Sequence, residues 1–387
     1  MDRHSGADHS QIAFLKAYWN QYNTHNVIDQ AETQEVELKI QPYDTPENRK
    51  LLLKGGERVD PKARLATFSD EKFEHFTNQI VIEYLKPREK YIKVCSFGGA
   101  NDRGRDVIGY LDDKTQDVFQ CKNYETPLQP AQVYREIGKI LYYAFMGNIL
   151  EIRNYYFIAR KGVGASLGEL LEQPKKLQSR IIEEWDAHCA NHIIKNIKID
   201  LEGDFKKFFD AFDFSKIKHY TPDELIDMHS KTKYHAVMFG GNLGKRPVIQ
   251  VPEDIEDRES PYVSQMMLAF AEREPGTISN PADLGLNNLA LFNHYRKSFF
   301  SADALRVFAR DSLPDEGDFH LFVSDIGDGI MTTFYTTHGI YNKMIECVKY
   351  AAQIPIQDNP LEFYISVLDK IGACHHLVNV AKLKWDS

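Results

Sequence analysis

The sequence predicts an α/β fold followed by a mostly helical region, and two observations predict it. Between residues 69 and 160 the apolar pattern has the order helix, three strands, helix, strand. After about residue 165 the apolar residues recur mainly at helical spacing, and Pro174 is expected near a helix boundary. We therefore divide the chain into an N-terminal extension (1–65), an α/β domain (66–165) and a mainly helical C-terminal domain (166–387).

The α/β domain is predicted to begin with a helix over residues 69–85. Ser69 is a suitable N-cap, and apolar residues recur after it at helical spacing. Three short strand-like runs follow, YIKVCSF, RDVIGYL and DVFQCKNY, separated by Gly-rich or charged turns. A second helix over residues 129–147 is expected to end near Gly147. The run RNYYFIAR then predicts the fourth strand.

Composition is that of an ordinary globular protein. The chain has 387 residues, of which 43% are hydrophobic and 27% are charged. It has no apolar run of the roughly 18–20 residues that a membrane span needs, and its N-terminus lacks the pattern of a secretory signal. The five cysteines are scattered, which favours reduced thiols. We therefore expect a cytoplasmic protein without a membrane partner.

The charge is unevenly distributed. The formal net charge is −9, yet the segment from Tyr84 to Lys161 holds 13 Lys and Arg against 9 Asp and Glu. A modestly basic segment in an acidic protein can contact phosphates locally, while the remainder repels non-specific nucleic acid. The charge pattern is therefore compatible with DNA binding in the α/β domain.

Three polar residues are predicted to meet at one edge of the sheet. Gln120 and Lys122 are two residues apart in a strand, so they share a face. If the preceding strand pairs antiparallel through the short turn, Asp106 lies near them. An acid there can hold a divalent cation, with the Cys121 carbonyl and a helix-borne carboxylate completing the shell. A lysine beside it can orient water or stabilise charge on a phosphate.

This pattern, an acid followed after about a dozen residues by an acid or Gln, any residue and Lys, resembles the PD-(D/E)xK signature of restriction-endonuclease-like nucleases. The predicted αβββαβ order, a mixed sheet flanked by helices, is similar to their core. The runs FE (73–74), GGANDRGRD (98–106) and FQCK (119–122) resemble Mrr-like and Cap4-type double-strand DNA endonucleases.

The resemblance implies a role for each of these residues. It makes Asp106 the acid that binds Mg²⁺ (Mn²⁺ being possible) and Lys122 the catalytic lysine, with Gln120 in the position of an acid. It also assigns metal contacts to Glu74 and the Cys121 carbonyl, and a supporting role to Gln132. Possible contacts to DNA are Arg103, Arg105 and Asn123.

The C-terminal region resembles another group of proteins. The runs YHAVMFGGNLGKRP, FSADALRVFARDSLP and PIQDNPLEFYISVLDKIGACHHLVNVAKLKW are similar to the C-terminal part of effectors in bacterial ABC-three-component conflict systems. Together with the nuclease motif, they resemble the nuclease subunits of Lamassu-type defence systems. That resemblance implies an SMC-like ATPase and a small third subunit as partners, and a homo-oligomer, a tetramer when active.

Other interpretations stay open. Asp106 and Lys122 could form a structural ion pair in a catalytically inactive DNA- or partner-binding module. The chain could also be a stand-alone Mrr-like type IV restriction enzyme. His188, Cys189 and His192 have no matching second zinc pair, which argues against zinc. The run FGGNLG lacks GxxxxGK[ST], so no P-loop is predicted.

Overall fold

The computed structural model describes residues 35–38, 60–97, 105–241, 243–274, 278–315 and 317–387. Its sheet has six strands in sequence order. They are β1 (Glu35–Glu37), β2 (Lys93–Phe97), β3 (Val107–Tyr110), β4 (Thr115–Lys122), β5 (Glu151–Ala159) and β6 (Ile217–Tyr220). The first four strands pair antiparallel, whereas β5 lies parallel to both β4 and β6.

The helices before the C-terminal region precede, separate or follow these strands in sequence. They are α1 (Pro61–Leu65), α2 (Asp70–Gln79), α3 (Lys86–Glu89), α4 (Pro130–Phe145), α5 (Ala165–Leu171), α6 (Pro174–Glu183), α7 (Trp185–His188), α8 (Gly203–Ala211), α9 (Pro222–His229) and α10 (His235–Phe239). A π-helical segment, Ile80–Leu85, joins α2 to α3. The Ser69 hydroxyl accepts a hydrogen bond from the Lys72 N–H, so it caps α2 as predicted.

The remaining helices form the C-terminal region. They are α11 (Ser260–Ala271), α12 (Leu286–Ser312), α13 (Gly317–Thr336), α14 (Ile340–Ala351) and α15 (Val367–Asn379). Among the described residues, no helix is long and apolar enough to cross a membrane. The predicted mixed α/β organisation with a helical C-terminal region is confirmed.

The predicted order of elements is also observed, from α2 through the three strands and α4 to β5. Pro174 begins α6, where a helix boundary was expected. Neither β1 nor β6 was predicted to join this sheet, although the alternation in EVELKI (35–40) is typical of a strand and contains β1. The described part of the N-terminal extension adds β1 at one edge, and β6, from the region expected to be mainly helical, adds the other edge.

Alternating side chains of β4 bury apolar surface on both faces of the sheet. Phe119 packs in one cluster with Phe73 and Phe76 of α2. Val118 packs on the opposite face with Ile137 of α4. This alternation follows from the two-residue period of a strand. The sheet is therefore a central layer between α2 and α4, and the start of β3 lies beside the end of β4 in this layer.

The sheet's core and the C-terminal core meet at α10. The cluster containing Val118 extends to Phe214 and Ile217, so residues well beyond 165 belong to the core of the sheet. A separate cluster runs from Tyr262 to Trp385. Phe239 of α10 packs with the sheet, while Val237 packs against the C-terminal cluster. The short helix α10 thus connects the two cores.

Candidate functional site

Antiparallel pairing of β3 with β4 brings Asp106 to Gln120. Val107 lies opposite Phe119, so the residue before β3 lies beside the end of β4. The Asp106 Oδ2 atom accepts hydrogen bonds from Gln120 Nε2 at 2.6 Å and from the Cys121 N–H at 2.7 Å. The short turn between the strands, with Asp112 accepting from two backbone N–H groups, sets this register. The predicted meeting of the acid with the end of β4 is observed.

Lys122 points to a carboxylate that the sequence analysis missed. Its Nζ lies 3.1 Å from Glu136 Oε1, and Arg135 donates to the same oxygen at 3.1 Å. The Lys122 side chain is 14% exposed and that of Glu136 is 5% exposed. Glu136 lies on α4, which covers the face of the sheet that Lys122 and Gln120 share. The lysine is therefore held in place from the helix rather than from the neighbouring strand.

Glu136 remains ionised in this position. Burial disfavours its charge, but Lys122, Lys139 and Arg135 outweigh that effect and lower the pKa of the carboxyl group. A sequence signal did exist for this residue. Glu136 lies among Val133, Ile137 and Ile140 on the buried face of α4, where an unpaired carboxylate is costly. Such a residue calls for a cationic partner from the sheet.

Gln120 links Asp106 to the next strand. Its side chain is almost fully buried, and its Oε1 lies 3.4 Å from the Tyr155 hydroxyl of β5. Because Nε2 donates to Asp106, both the oxygen and the nitrogen of the amide have hydrogen-bond partners. A neutral amide suits this position, because an ionised carboxylate could not donate to Asp106.

Glu74 lies on α2 at an exposed position. Partial burial and the negative charge of Asp70 raise the pKa of its carboxyl group. Burial and the charge of Asp106 raise the pKa of the Cys121 thiol. The charge of Glu74 also raises this pKa, whereas the charge of Lys122 lowers it. Asp106, Glu74 and Lys122 therefore all lie within electrostatic range of Cys121.

The remaining predicted residues occupy different surroundings. Asn123 donates from Nδ2 to the Phe68 carbonyl at 3.2 Å and to Asp70 Oδ1 at 2.6 Å. Arg105 is 5% exposed, and Arg103 lies outside the described residues. The side chain of Gln132 accepts from the Gln129 N–H at 2.8 Å within a capping box. Asn123 and Gln132 thus hold the starts of α2 and α4.

The donor atoms at this site are those that Mg²⁺ prefers, although no closed ligand set is formed. Carboxylate and carbonyl oxygens are available from Asp106, Glu74 and Cys121, and Mg²⁺ commonly keeps several water ligands. In the part of the chain that the structure describes, no group of three or more His, Cys, Asp or Glu side chains could hold a metal ion. The residue types alone therefore match the oxygen donors that a water-rich magnesium site would use.

The surroundings of two histidines in the described residues, His188 and His375, are not those of a zinc site. His188 lies 3.6 Å from Glu184 on the helical surface. In the C-terminal region His375 is fully buried, and its ring packs 5.4 Å and 5.1 Å from the rings of Tyr262 and Tyr295. Neither of its nitrogens has a hydrogen-bond partner. Its surroundings are those of an aromatic core.

The C-terminal helices lie in a region that matches a known protein family. Residues 259–385 match the family model of C-terminal domain 6 of the ABC-three component (ABC-3C) systems. This ABC-3C domain covers α11 to α15 and contains the separate C-terminal core. No curated protein and no solved structure matches the chain.

The ABC-3C domain confirms the expected kind of C-terminal region and supports membership of an ABC-three-component defence system. Membership of such a system implies that the chain works with other subunits. The match does not include the sheet, since its first residue, Glu259, lies in the helical turn that precedes α11, well after β6. The match therefore carries no information on the chemistry of the sheet edge.

Proposed function

We propose that this chain is the nuclease effector of an ABC-3C defence complex, a metal-dependent double-stranded DNA endonuclease of the PD-(D/E)xK type with a restriction-endonuclease-like core. The observation that carries the proposal is the pairing of Asp106 with the end of β4, two residues before Lys122. The positive balance of residues 84–161 supports it, because DNA phosphates must approach this end of the sheet. The ABC-3C domain supports the defence context.

Each residue has a role in this proposal. Asp106, Glu74 and the Cys121 carbonyl hold Mg²⁺ or Mn²⁺, which would supply Lewis-acid activation of water and of the scissile phosphate. Lys122 stabilises negative charge that develops on the phosphate. Glu136 holds the Lys122 ammonium in position from α4, and Gln120 orients the Asp106 carboxylate.

Partner subunits would control the activity. An unregulated nuclease would damage its own genome, so we propose that an SMC-like ATPase and a small third subunit hold this chain inactive. Cutting both strands requires two active sites close together, which favours activation by homo-oligomerisation, with a tetramer as the active form.

A second function is favoured by two contacts. Lys122 is already neutralised by Glu136, and Gln120 stands where an acidic ligand would be expected. A catalytically inactive DNA- or partner-binding module would tolerate both features. A stand-alone Mrr-like type IV restriction enzyme is a third option, and it predicts full activity of the isolated chain on methylated DNA.

The test is plasmid cleavage by purified protein at low salt, in Mg²⁺, Mn²⁺ or EDTA, alone and with the ATPase and third subunit. Asp106→Ala and Lys122→Ala are compared with Asp113→Ala and Lys114→Ala, two exposed residues of the β3–β4 turn. We expect metal-dependent cutting that only the first pair abolishes. Cutting that survives both substitutions would mean the active site lies elsewhere. No cutting by the complete complex would favour the binding module.

A further inference from the structure

A cleft in the ABC-3C domain has no role in the proposed nuclease chemistry. It has a volume of about 500 Å³ and lies between the last turns of α13, the first turns of α14 and the C-terminal segment 381–387. It is remote in sequence from the sheet edge, and all but its last residues lie within the part that matches the ABC-3C domain.

The cleft combines an apolar floor with an exposed aromatic rim. Phe334 and Leu383 are almost fully buried in its floor, and the Phe334 ring packs 6.0 Å from the ring of Trp385. Tyr335 projects from the rim with 74% of its surface exposed, and Met331 is 36% exposed beside it. Exposed tyrosines that border an apolar pocket are typical anchors of protein interfaces.

The charged side chains that line the cleft are all lysines. They are Lys343, Lys382 and Lys384, and no Asp or Glu side chain lines it. Lys343 is nearly buried, with its ammonium 4.8 Å from the Phe334 ring centroid and in contact with the main-chain oxygen of Ser387. Lys382 and Lys384 are exposed. The cleft therefore presents two accessible cations above an apolar floor.

This positive charge is local. Residues 259–385 contain 15 Asp and Glu against 10 Lys and Arg, so the domain as a whole is acidic. A duplex would meet that negative field over a wide area, whereas a short segment entering the cleft would meet mainly the lysines. The volume suits a few side chains of an extended or helical peptide, and its apolar floor suits a hydrophobic one.

We propose that this cleft binds an acidic peptide segment of another protein chain, with a hydrophobic side chain on Phe334 and Leu383 and carboxylates on Lys382 and Lys384. Tyr335 covers the bound segment from the rim. The inference does not depend on the nuclease proposal, since it concerns a different part of the chain. It assigns to the cleft a docking role for a partner subunit that carries such a segment.

The experiment selects binders from a displayed library of random peptides on the full-length protein, and then measures the enriched peptides by fluorescence anisotropy. The test variant is Lys382→Glu with Lys384→Glu, and Tyr335→Ala is measured beside it. Lys297→Glu, an exposed lysine of α12 outside the cleft, is the matched control. A circular dichroism melt of every variant verifies folding. A duplex DNA of random sequence is the competing ligand.

We expect enriched peptides with several Asp or Glu and one large apolar residue. Their affinity should fall tenfold or more in the double lysine variant and in Tyr335→Ala, and stay unchanged in Lys297→Glu. Enrichment of neutral or basic peptides would overturn the proposal. So would equal binding by the folded double variant, an absence of any enriched peptide, or duplex binding that the same two lysines control.

Discussion

The ammonium of Lys122 lies 3.1 Å from the carboxylate of Glu136, while the Asp106 carboxylate is held by the Gln120 amide and the Cys121 N–H. The lysine and the acid of the predicted motif thus have separate partners on separate elements. A lysine side chain that is only 14% exposed thus has a close counter-ion, which a buried ion needs. This relationship also makes the energetic role of each partner measurable.

Removing the charge of Glu136 should destabilise the fold. We expect Glu136→Gln to lower the free energy of unfolding by about 1–2 kcal/mol and Glu136→Ala by about 3 kcal/mol, since the buried ammonium loses its counter-ion. Urea denaturation measures this. Arg135→Ala is the control, because Arg135 is half-exposed and its contact should contribute less than about 0.5 kcal/mol. Equal effects of the Glu136 and Arg135 variants would contradict the assignment of Lys122 as the main partner.

The same pair predicts a dependence on acid. The pKa of Glu136 is lowered from its ordinary value of 4.5, so the unfolded chain binds this proton more readily. The contribution of the pair to stability is therefore complete above about pH 4.5 and lost as the pH falls further. Wild type should lose more stability than Glu136→Gln between pH 5 and pH 3, as followed by thermal melts. Parallel curves would show that folding does not lower the pKa of Glu136.

Replacing Gln120 by Glu should make the fold sensitive to divalent cations. A carboxylate at this position would lie against Asp106, where Gln120 donates a hydrogen bond at 2.6 Å. In EDTA we expect Gln120→Glu to lower the free energy of unfolding by about 1–3 kcal/mol, and with it the melting temperature. Mg²⁺ or Mn²⁺ should restore the melting temperature by bridging the two acids.

The comparison protein for this metal test is Gln116→Glu, which adds a carboxylate at a buried position of β4 farther from Asp106. Its melting temperature should fall without recovery in metal. If Mn²⁺ stabilises both variants equally, or neither, the end of β4 is not a cation site. This readout is independent of nuclease activity.

Buried histidines should make the ABC-3C domain acid-sensitive. Burial and the nearby His376 lower the pKa of His375 to about 3, and burial lowers that of His376 to about 4 despite the opposing charge of Asp303. Both values lie below 6.5, so the unfolded chain binds more protons below that pH. Each histidine then removes up to about 1.4 kcal/mol of stability per pH unit as the pH falls from about 6.5 towards its folded pKa.

His375→Leu tests this directly. Both ring nitrogens of His375 lack partners, so the substitution should leave stability at pH 7 unchanged or raise it by about 1 kcal/mol. Between pH 6 and pH 5 the free energy of unfolding should fall less steeply with pH in this variant. The decrease in slope should correspond to at most one proton fewer taken up on unfolding. His320→Leu, at an exposed position of α13, should leave the slope unchanged. If His375→Leu leaves the pH dependence of stability unaltered, the His375 ring is not the source of the acid sensitivity.

The close packing of α12 and α15 predicts intolerance at one glycine. A Cβ atom at Gly372 would lie 2.0 Å from the Ser298 carbonyl oxygen, which is backbone and cannot move aside alone. Gly372→Ala should therefore destabilise the domain by about 3 kcal/mol or more, despite the better helix propensity of Ala. In Gly168→Ala of α5 the nearest atom is 3.8 Å away, so a gain of up to about 1 kcal/mol is expected. Urea titration of both variants makes the comparison.

Much of the α/β region was predictable because the signals are local. Ser69 as the cap of α2 and Pro174 at the start of α6 act through their own backbone, which any sequence reader can recognise. The two-residue period that places Gln120 and Lys122 on one face of β4 is equally local. The edge strand β6 was not predicted, because its four residues carry little pattern and its pairing with β5 joins segments about 60 residues apart.

The sequence by itself determined the residue types, the strand that carries Gln120 and Lys122, and the acid expected beside them. Only the tertiary structure decided which carboxylate meets the lysine. Glu136 reaches Lys122 because α4 packs over the face of β4 that carries it, and packing between helix and strand depends on many apolar contacts rather than on residue spacing. The same holds for the lysine-lined cleft, whose walls come together only when α13, α14 and the C-terminal segment pack around Phe334.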